Sequence, residues 1–562
     1  MHVVTAGEMR AIDGYAIEKL GMPAMVLMEN AGRAVAEEAA RLARRADEGA
    51  RRRGGGDGGR GWAGSCGDRR GGGESSGNGG ARRGFRWLVL AGKGNNGGDG
   101  LVCARHLREM GFGVDILYAV PPETLTGEAA LQRDIAERMG LSVLSEAEAL
   151  RFREACSSDC GRWDGIVDAL LGTGTSGPPR EAYAVLIRAA NESGLPIVSA
   201  DIPSGLNADT GELPGACIRA AVTVALAYRK RGLMLFPGAE AAGEVVVRAI
   251  GIPASTADML GVSVFRLDGE TLRQRFAIAV PPERRSDSHK GTYGHALVAA
   301  GSSAMSGAGL LCARAALRAG SGLVSWAVPG QLVGRLTGLF PEAMLRPLAD
   351  GDSGEWRKTS ADSLVEAAFG KQAVVVGPGL GRWEGDGDWI RELWSGIEAP
   401  LVIDADGLNM LAGALSDRGG SLEGGEAALW THRKTPPVLT PHPGEMARLC
   451  GLSIQEVQRD RIGIARSYAR ERGVILVLKG ARTVVASPDG QVYINTTGNA
   501  GMSTGGAGDV LAGIVGALLA QGLAPLQAAA AAVYWHGLAG DRAAAARFSQ
   551  SSLIAGDIIE AL

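Results

Sequence analysis

The 562-residue chain has few aromatic residues, few cysteines and almost no net charge. Its seven cysteines are odd in number and scattered, which argues against a disulfide framework and favours a reducing compartment. The formal net charge of −3 provides no general attraction to nucleic acid or to a membrane surface. No uncharged apolar run reaches membrane-spanning length, and the first residues do not resemble a signal peptide. These absences predict a cytoplasmic protein that binds neither nucleic acid nor membrane.

Glycine, by contrast, is abundant at 86 residues, which together with frequent alanine suits closely packed α/β layers in two or three domains. One segment stands apart, because residues 49–84 are mostly Gly, Arg, Asp and Ser. Such a segment cannot bury enough apolar surface to offset its ordering entropy, so a disordered insertion is predicted. Arg-Gly sequence can bind RNA. The interleaved acidic residues favour a solvated loop instead.

A glycine loop in the second half has the features of a phosphate site. Residues 498–510 read GNAGMSTGGAGDV, and the apolar run after them predicts a helix. A helix N-terminus with free backbone N–H groups binds anions, and Asp509 at this junction is suited to take a proton from a hydroxyl. A Walker loop needs Lys-Ser or Lys-Thr after its last glycine, which is absent here. The loop instead resembles the anion hole of ribokinase-like small-molecule kinases.

In the first half, four predicted strands each end in polar, glycine-rich sequence. The sequences that follow them are residues 92–100, 172–178, 201–205 and 228–233. Strand, glycine turn, helix and strand in succession predict a doubly wound parallel sheet, whose loops gather at one edge. The first loop interleaves Asn95, Asn96 and Asp99 with glycines. Their oxygens are suited to ligand hydroxyls or to an alkali or alkaline-earth cation.

These motifs resemble the NAD(P)H-hydrate epimerases over the whole first half, apart from the insertion. The resemblance rests on Asn95-Asn-Gly-Gly-Asp-Gly, on Asp168 with Gly172-Thr-Gly, on Asp201-Ile-Pro-Ser-Gly and on Lys230. It implies that Asp201 and two loops bind the damaged dinucleotide, the loop residues being Asn95, Asn96, Gly97, Gly98, Asp99, Gly172, Thr173, Gly174, Thr175, Ser176, Gly177 and Pro178.

The same resemblance implies a potassium ion and two proton-handling groups. The cation would lie among oxygens of Asn96, Asp168 and Ser204. Asp201 and Lys230 would move protons during epimerisation. For Asp201 the alternative interpretation is a capping residue of the loop that follows its strand.

The second half shows a further series of strands and polar loops. Its motifs include Gly377-Pro-Gly-Leu-Gly, Thr440-Pro-His-Pro-Gly-Glu, Lys479-Gly-Ala-Arg-Thr and the anion loop. This set resembles the ADP-dependent NAD(P)H-hydrate dehydratases, a ribokinase-like family. It implies contacts with the hydrated dinucleotide from Ala308, Gly379, Gly381, His442 and Asp509, and with the adenine nucleotide from Lys479, Gly480, Ala481, Arg482, Thr483 and Gly508.

Three positions depart from the common family pattern, namely Ala500, Ser503 and Ala507. His442, between two prolines, has rigid loop structure as its alternative role. Asp404 and Asp406 either orient Mg²⁺ through water or simply end a strand. The motif that begins at residue 440 has its bacterial form, which favours ADP over ATP as the phosphoryl donor.

The predicted architecture is therefore α/β throughout. A Rossmann-like doubly wound epimerase domain spans residues 1–250, a connecting stretch spans 251–282, and a ribokinase-like dehydratase domain spans 283–562. Together they resemble bifunctional enzymes that repair hydrated NADH and NADPH and convert ADP to AMP and phosphate. The alternative is a kinase of a small hydroxymethyl compound whose first half is a binding module. Alanine-rich helices favour a homo-oligomer.

Overall fold

The computed structural model of the chain describes residues 1–53, 84–154, 162–416, 433–547 and 549–562. The contacts between residues divide it into two compact units. The N-terminal unit is His2–Val262, and the C-terminal unit is Ser263–Leu562 together with Met1. Both units are α/β, which confirms the predicted fold class. Among the described residues no helix is both long and apolar enough to cross a membrane.

The N-terminal unit alternates strands and helices. Its strands are β1 (Val3–Val4), β2 (Arg86–Ala91), β3 (Gly113–Tyr118), β4 (Ser142–Val143), β5 (Gly165–Ala169), β6 (Ile197–Ala200), β7 (Val222–Leu226), β8 (Arg229–Lys230) and β9 (Glu244–Arg248). Its helices are α1 (Ala6–Glu18), α2 (Ala24–Arg53), α3 (Asn95–Glu109), α4 (Gly127–Arg138), α5 (Glu146–Glu154), α6 (Glu181–Glu192), α7 (Gly238–Ala241) and α8 (Thr256–Met259).

The main sheet of this unit is parallel between all neighbours, in the order β4-β3-β2-β5-β6-β7-β9. Its central strands are continuous apolar runs, as expected where helices cover both faces of a sheet. The strand order reverses between β2 and β5, which are neighbours although β3 and β4 lie between them in sequence. A ligand crevice is expected at such a reversal, outside the carboxyl ends of the strands.

A separate two-stranded sheet joins the first residues of the unit to the segment that follows β7. β1 pairs in parallel with β8, with Val4 opposite Lys230. α1 follows β1 directly, and its first turn has a capping box between Thr5 and Glu8. The helix that begins the unit is therefore held beside the strand that carries Lys230.

The C-terminal unit has the same alternation over a larger sheet. Its strands are β10 (Val264–Leu267), β11 (His295–Ala299), β12 (Leu323–Pro329), β13 (Met344–Leu348), β14 (Ala373–Val376), β15 (Leu401–Ile403), β16 (Val438–Leu439), β17 (Ile475–Leu478), β18 (Val484–Ala486) and β19 (Val492–Asn495). Its helices are α9 (Gly269–Phe276), α10 (Ser306–Arg318), α11 (Val333–Leu336), α12 (Ala361–Ala368), α13 (Asp386–Gly396), α14 (Asp406–Ser416), α15 (Pro443–Cys450), α16 (Ile454–Arg459), α17 (Arg461–Arg472), α18 (Ala507–Ala520), α19 (Pro525–Ala546) and α20 (Ala555–Glu560).

The strand order in this sheet is β10-β19-β18-β17-β16-β15-β14-β11-β12-β13. Only β18 is antiparallel to its neighbours. α18 is apolar around its whole circumference, and nearly every residue from Val510 to Ala520 is buried. A helix without a polar face belongs in a core, which fixes the loop before it at the edge of the sheet.

The structure differs from the sequence-based prediction in two segments. α2 continues to Arg53, so the start of the predicted insertion is helical; residues 54–83 lie outside the described residues. The predicted connecting stretch 251–282 contains α8, β10 and α9, and the two units divide after Val262. β10 is an edge strand of the C-terminal sheet, where it pairs with β19, and its residues Val264 and Leu267 are buried.

Candidate active sites

The glycines after β2 pack a helix rather than form a loop. The sequence predicts a loop over residues 95–100, but α3 already begins at Asn95. A Cβ on Gly97 would lie 2.0 Å from the backbone oxygen of Gly92, and one on Gly98 would lie 2.7 Å from the Met28 side chain. Glycine is therefore needed here for close approach of the helix to the preceding turn. Gly97 and Gly98 lie in this contact and not on the cavity wall.

A cavity of about 690 Å³ opens at the reversal point between β2 and β5. Its polar wall includes several residues predicted to bind the dinucleotide, while Met9, Leu27 and Met28 form part of an apolar wall. The predicted residues Ser176, Gly177 and Pro178 lie outside the lining. The lining includes Asn95, Asn96, Asp99, Gly172, Thr173, Gly174, Thr175, Asp201 and Lys230.

Lys230 and Asp201 form a buried ion pair at this cavity. The Lys230 side chain is 1% exposed, and its Nζ donates to Asp201 Oδ1 and to the Leu226 carbonyl at 2.9 Å. Asp201 follows β6 in the left-handed region, at φ 67°, where Asp is tolerated better than most residues. Its Oδ1 also accepts from Leu226 N at 3.1 Å. Asp201 thus both organises its loop and holds the ammonium group.

Two further carboxyl groups face this ion pair. Asp99 is buried on α3, and burial, with Asp201 and Asp13 adding to it, raises its pKa well above the ordinary value. Asp13 lines the cavity from α1; burial raises its pKa to about 6, against the effect of Lys230. Sequence reasoning missed Asp13. The available signal was an acid at one-turn spacing between Met9 and Ile17, both of which line the cavity.

The three residues predicted to hold potassium meet around one peptide. Ser204 Oγ donates to Asp168 Oδ1 at 2.5 Å and lies 2.8 Å from Leu171 N, which donates to it. Asn96 Nδ2 donates to the Leu171 carbonyl at 3.0 Å. Asp168 is fully buried, and burial raises its pKa despite bonds from Ser204 and Ser199. The donor set consists of hard oxygens, which fits an alkali cation.

Within the described parts of the chain, no group of three or more His, Cys, Asp and Glu side chains is placed to hold a metal ion. This argues against a site built from those ligands alone. The potassium set uses one carboxylate together with hydroxyl and amide oxygens, so the observation does not bear on it.

In the C-terminal unit the anion loop leads into α18 as predicted. Gly506 precedes the helix at φ 88°, and Asp509 lies in the first turn. Burial raises the pKa of Asp509 to about 7, with Asp404 adding to the rise and Lys479 opposing it. A carboxyl group with this pKa is a base matched to neutral pH. Backbone N–H groups and a base are thus both present at one helix N-terminus.

Lys479 is at the centre of the charged groups near this helix. Its Nζ lies 2.6 Å from Asp404 Oδ1 and 3.9 Å from Glu445 Oε2. Burial lowers the pKa of Lys479, but the two carboxylates raise it by more, so the pKa lies above its ordinary value. A Cβ on Gly508 would lie 3.3 Å from this Nζ. The ammonium group therefore adjoins the start of α18.

Glu445 ends the motif that begins at Thr440, but the sequence does not assign it to the dehydratase site. Its side chain is buried, and burial raises its pKa to about 7. The charge of Asp404 adds to this rise, and the charge of Lys479 opposes it. Asp404 Oδ2 is also buried and accepts no hydrogen bond. An oxygen of this kind fits a cation or a cation-bound water, so Mg²⁺ is compatible with this position.

His442 has a local structural role as well as its predicted one. Its Nδ1 accepts from Gly444 N at 2.9 Å and from Glu445 N at 3.3 Å, so the ring caps α15. Burial, and then Lys479 and Arg448, lower its pKa. The ring is therefore neutral with its proton on Nε2. The imidazole is half exposed, which leaves it accessible to a ligand.

The remaining predicted residues lie in α10 (Ala308), after β14 (Gly379 and Gly381) and after β17 (Gly480 to Thr483). A Cβ on Gly379 would lie 2.8 Å from Ala308 Cβ, and Gly381 N donates to Asp406 Oδ2 at 2.8 Å. After β17, Thr483 Oγ1 donates to the Gly480 carbonyl, and Ala481 lies in the same turn. Arg482 is in the left-handed region and donates to the Thr496 carbonyl at 2.9 Å. Gly480 to Thr483 thus form a folded turn next to Lys479.

Fold and sites together define an enzyme of two α/β units, each with a buried lysine–carboxylate pair at the carboxyl edge of its sheet. Residues 296–562 match the family model of NAD(P)H-hydrate dehydratase, and residues 24–232 match that of the YjeF-related protein N-terminus. The chain belongs to the family of bifunctional NAD(P)H-hydrate repair enzymes. The sequence-based prediction of an epimerase unit followed by a dehydratase unit is confirmed at this level, and the small-molecule kinase alternative is not supported.

Named relatives match over nearly all of the chain. The bifunctional NAD(P)H-hydrate repair enzyme of Moorella thermoacetica is 39% identical over 565 residues, which cover 100% of this chain and 96% of that protein. The Escherichia coli K12 enzyme of the same name is 38% identical and covers 85% of this chain and 84% of its own length. A solved structure, the Bacillus subtilis ADP/ATP-dependent NAD(P)H-hydrate dehydratase co-crystallised with ATP and Mg²⁺, is 30% identical with a TM-score of 0.42, and covers 53% of this chain and 96% of that one.

Proposed function

We propose that the N-terminal unit interconverts the R and S hydrates of NADH and NADPH, and that the C-terminal unit dehydrates the S hydrate while ADP is split to AMP and phosphate. The observation that carries this proposal is the placement of the two buried ion pairs. Lys230–Asp201 faces a cavity large enough for part of a dinucleotide, whereas Lys479–Asp404 adjoins a helix N-terminus suited to phosphate.

Epimerisation needs proton transfers that allow one ring bond to break and re-form, with no atom gained or lost overall. The hydroxyl of the hydrate is on the ring carbon bonded to the ring nitrogen. Asp201 takes the hydroxyl proton, the carbon–nitrogen bond breaks as the carbonyl forms, and its electron pair goes to nitrogen. Lys230 protonates that nitrogen. Rotation of the aldehyde and closure in reverse order return both protons and give the other epimer.

Dehydration needs a better leaving group than hydroxide. Asp509 takes the proton of the S-hydrate hydroxyl, whose oxygen attacks the terminal phosphorus of ADP, and the bond from that phosphorus to AMP breaks. Phosphate then leaves the ring carbon, and the neighbouring carbon loses a proton as the double bond is restored. The amides of α18 and Lys479 stabilise the charge that develops on the phosphoryl oxygens.

Two cations are included in the proposal. Asn96, Asp168 and Ser204 would hold K⁺, which supplies a fixed positive charge beside the loop after β5. Asp404, with one unpaired buried oxygen, and Asp406 would hold Mg²⁺, directly or through water; Mg²⁺ supplies neutralisation of the donor phosphates. Ala308, Gly379, Gly381 and His442 contact the dinucleotide, and Gly480 to Thr483 contact the nucleotide.

The proposal extends to the setting of the enzyme. Cys103, Cys217, Cys312 and Cys450 are free thiols, which supports a reducing compartment such as the cytoplasm. Alanine-rich helices support a homo-oligomer. ADP is proposed as the preferred donor on the form of the motif at residues 440–445.

The test is the return of reduced-nicotinamide absorbance from a mixed R and S hydrate of NADH. The full chain is incubated with ADP and Mg²⁺, with ATP and Mg²⁺, or with no nucleotide, in K⁺ and in Na⁺ buffer. Complete recovery with ADP, including the R fraction at a rate above that of spontaneous epimerisation, is expected. Recovery of the S fraction alone would remove the epimerase assignment, and a stable phosphorylated product would contradict the dehydratase assignment.

A further inference from the structure

The epimerase cavity holds more carboxyl groups than the proton transfers require. Asp201 alone pairs with Lys230, yet Asp13 and Asp99 face the same pair from two other helices. Both line the cavity: Asp99 is buried in α3, whereas Asp13 in α1 is only partly buried. Three carboxyl groups around a single ammonium group leave an excess of negative charge unless protons are retained.

The position of Asp13 is fixed by the backbone, not by chance burial. β1 pairs with β8 so that Val4 lies opposite Lys230, and α1 follows β1. Ala6 N donates to Asp209 Oδ1 at 2.6 Å, which anchors the first turn of α1. Met9, Asp13 and Ile17 then lie one turn apart on the face that lines the cavity. A charged carboxylate in this partly buried stripe is costly unless it is paired or keeps its proton.

We propose that Asp13 is a positioning residue of the epimerase site, whose carboxyl group sets the protonation balance of the Asp201–Lys230 pair from the cavity wall. This inference rests on the epimerase assignment of the N-terminal unit. The raised pKa values of Asp13 and Asp99 agree with it, because a carboxyl group with a raised pKa keeps its proton to higher pH and so limits the excess charge.

The other ionisable groups of the cavity must be included when a pH effect is interpreted. Tyr183 of α6 lines the same cavity. The charged groups in the lining are Arg10 and Asp13 of α1, Lys93 before α3, Asp99 of α3, Glu128 of α4, Asp201 and Lys230. Among these, Asp13, Asp99, Asp201 and Lys230 are coupled electrostatically, so the removal of one charge changes proton release by the others.

The test measures epimerisation alone, in the full chain. Pure S hydrate is incubated without nucleotide, so that dehydration cannot proceed, and the R form is quantified by chromatography from pH 5 to pH 10 after subtraction of the spontaneous rate. The variants are Asp13→Asn, Asp13→Glu and, as a matched control, Glu18→Gln at an exposed position outside the cavity lining on the same helix.

Loss of a negative charge makes neighbouring groups release their protons more readily, so the whole profile of Asp13→Asn should move to lower pH by about one unit. The rate then falls about tenfold on the alkaline side and rises on the acidic side. A structural defect cannot produce that gain. Asp13→Glu and Glu18→Gln should keep the position of the wild-type profile.

A lower rate with an unmoved profile would overturn the proposal, and so would a profile equal to that of the wild type. If Asp13→Asn does not fold, Asp13→Ser removes the same charge with a smaller side chain and is judged by the same shift. Absence of epimerisation by the wild-type chain at every pH would instead contradict the proposed function, which separates the two failures.

Discussion

The N-terminal and C-terminal units have similar charge arrangements around different backbones. Lys230 is surrounded by the carboxyl groups of Asp13, Asp99 and Asp201, and Lys479 by those of Asp404, Glu445 and Asp509. Each lysine is next to the carboxyl edge of a largely parallel sheet. In both units burial raises the pKa of carboxyl groups that remain near the ammonium group.

The glycines make the difference between the two sites. In the N-terminal unit Gly97 and Gly98 are consumed in packing α3, and the cavity has an apolar wall. In the C-terminal unit a Cβ on Gly506 would lie 2.5 Å from Leu311 Cδ1, but one on Gly505 would meet nothing within 4 Å, so space for an anion remains beside Gly505 before α18. Similar charge groups can therefore serve proton transfer in one unit and phosphoryl transfer in the other, depending on the backbone around them.

The largest expected effect separates the two units completely. Asp509→Asn removes the base proposed for the dehydratase site, and dehydration of S hydrate with ADP should fall about 10⁴-fold, the upper range for general base catalysis. Epimerisation of S hydrate to R hydrate should be unchanged. Asp362→Asn, an exposed aspartate in the first turn of α12, is the control. Loss of both activities in Asp509→Asn would break the comparison.

A substitution in the N-terminal unit should reduce only the epimerase activity. Lys230→Met removes the proton donor proposed for ring opening, and epimerisation should fall about 10³-fold while dehydration of pure S hydrate continues. Lys19→Met is the control, because Lys19 is exposed and lies outside the cavity lining. The two rates are followed separately, by chromatography without nucleotide and by absorbance with ADP. An active Lys230→Met epimerase would refute the assigned role.

The glycine contrast predicts a difference in stability. Gly97→Ala places a methyl group against the Gly92 carbonyl and should destabilise the N-terminal unit by about 3 kcal/mol, in the upper range for overpacking. Gly94 is the N-cap of α3, has φ −91° and has nothing within 4 Å of an added Cβ, so Gly94→Ala should cost only about 1 kcal/mol, the difference between glycine and alanine as a cap. Denaturant unfolding monitored by circular dichroism measures both. Equal stability of the two variants would show that α3 tolerates displacement.

The smallest expected effect is on pH dependence. Because the pKa of Asp509 is about 7 and the group must lose its proton to act as a base, dehydration should fall tenfold per pH unit below about pH 7 and level off above it. Initial rates with saturating S hydrate from pH 5 to pH 9 test this, with the residual activity of Asp509→Asn as reference. A flat acidic limb would indicate that another group is the base.

The sequence correctly predicted that the polar strand ends meet at one edge of the sheet, but it did not predict the role of the glycines after β2. Asp168, Asp201 and Lys230 could be placed at one edge because parallel strands end together, and β2, β5, β6 and β7 are indeed adjacent. The glycines after β2 were taken for a ligand loop, because a sequence does not distinguish glycine required for helix packing from glycine required for ligand approach.

For a related reason, the sequence identified the carboxyl group of Asp509 but not that of Asp13. Asp509 belongs to a contiguous motif and was identified from its neighbours alone. Asp13 reaches its cavity through the pairing of β1 with β8, a contact between residues far apart in sequence. The spacing of Met9, Asp13 and Ile17 places the acid on one apolar face of α1, but no local pattern indicates which part of the unit that face packs against.

The pairing of β1 with β8 also bears on how the epimerase site comes into existence. Val4 and Lys230 come from opposite ends of the unit's sequence, and contacts of such long range form slowly because the chain between them must first be ordered. The cavity is therefore expected to close only when nearly the whole unit has left the ribosome and folded. A nascent chain would have the central strands of its sheet before it had its active site.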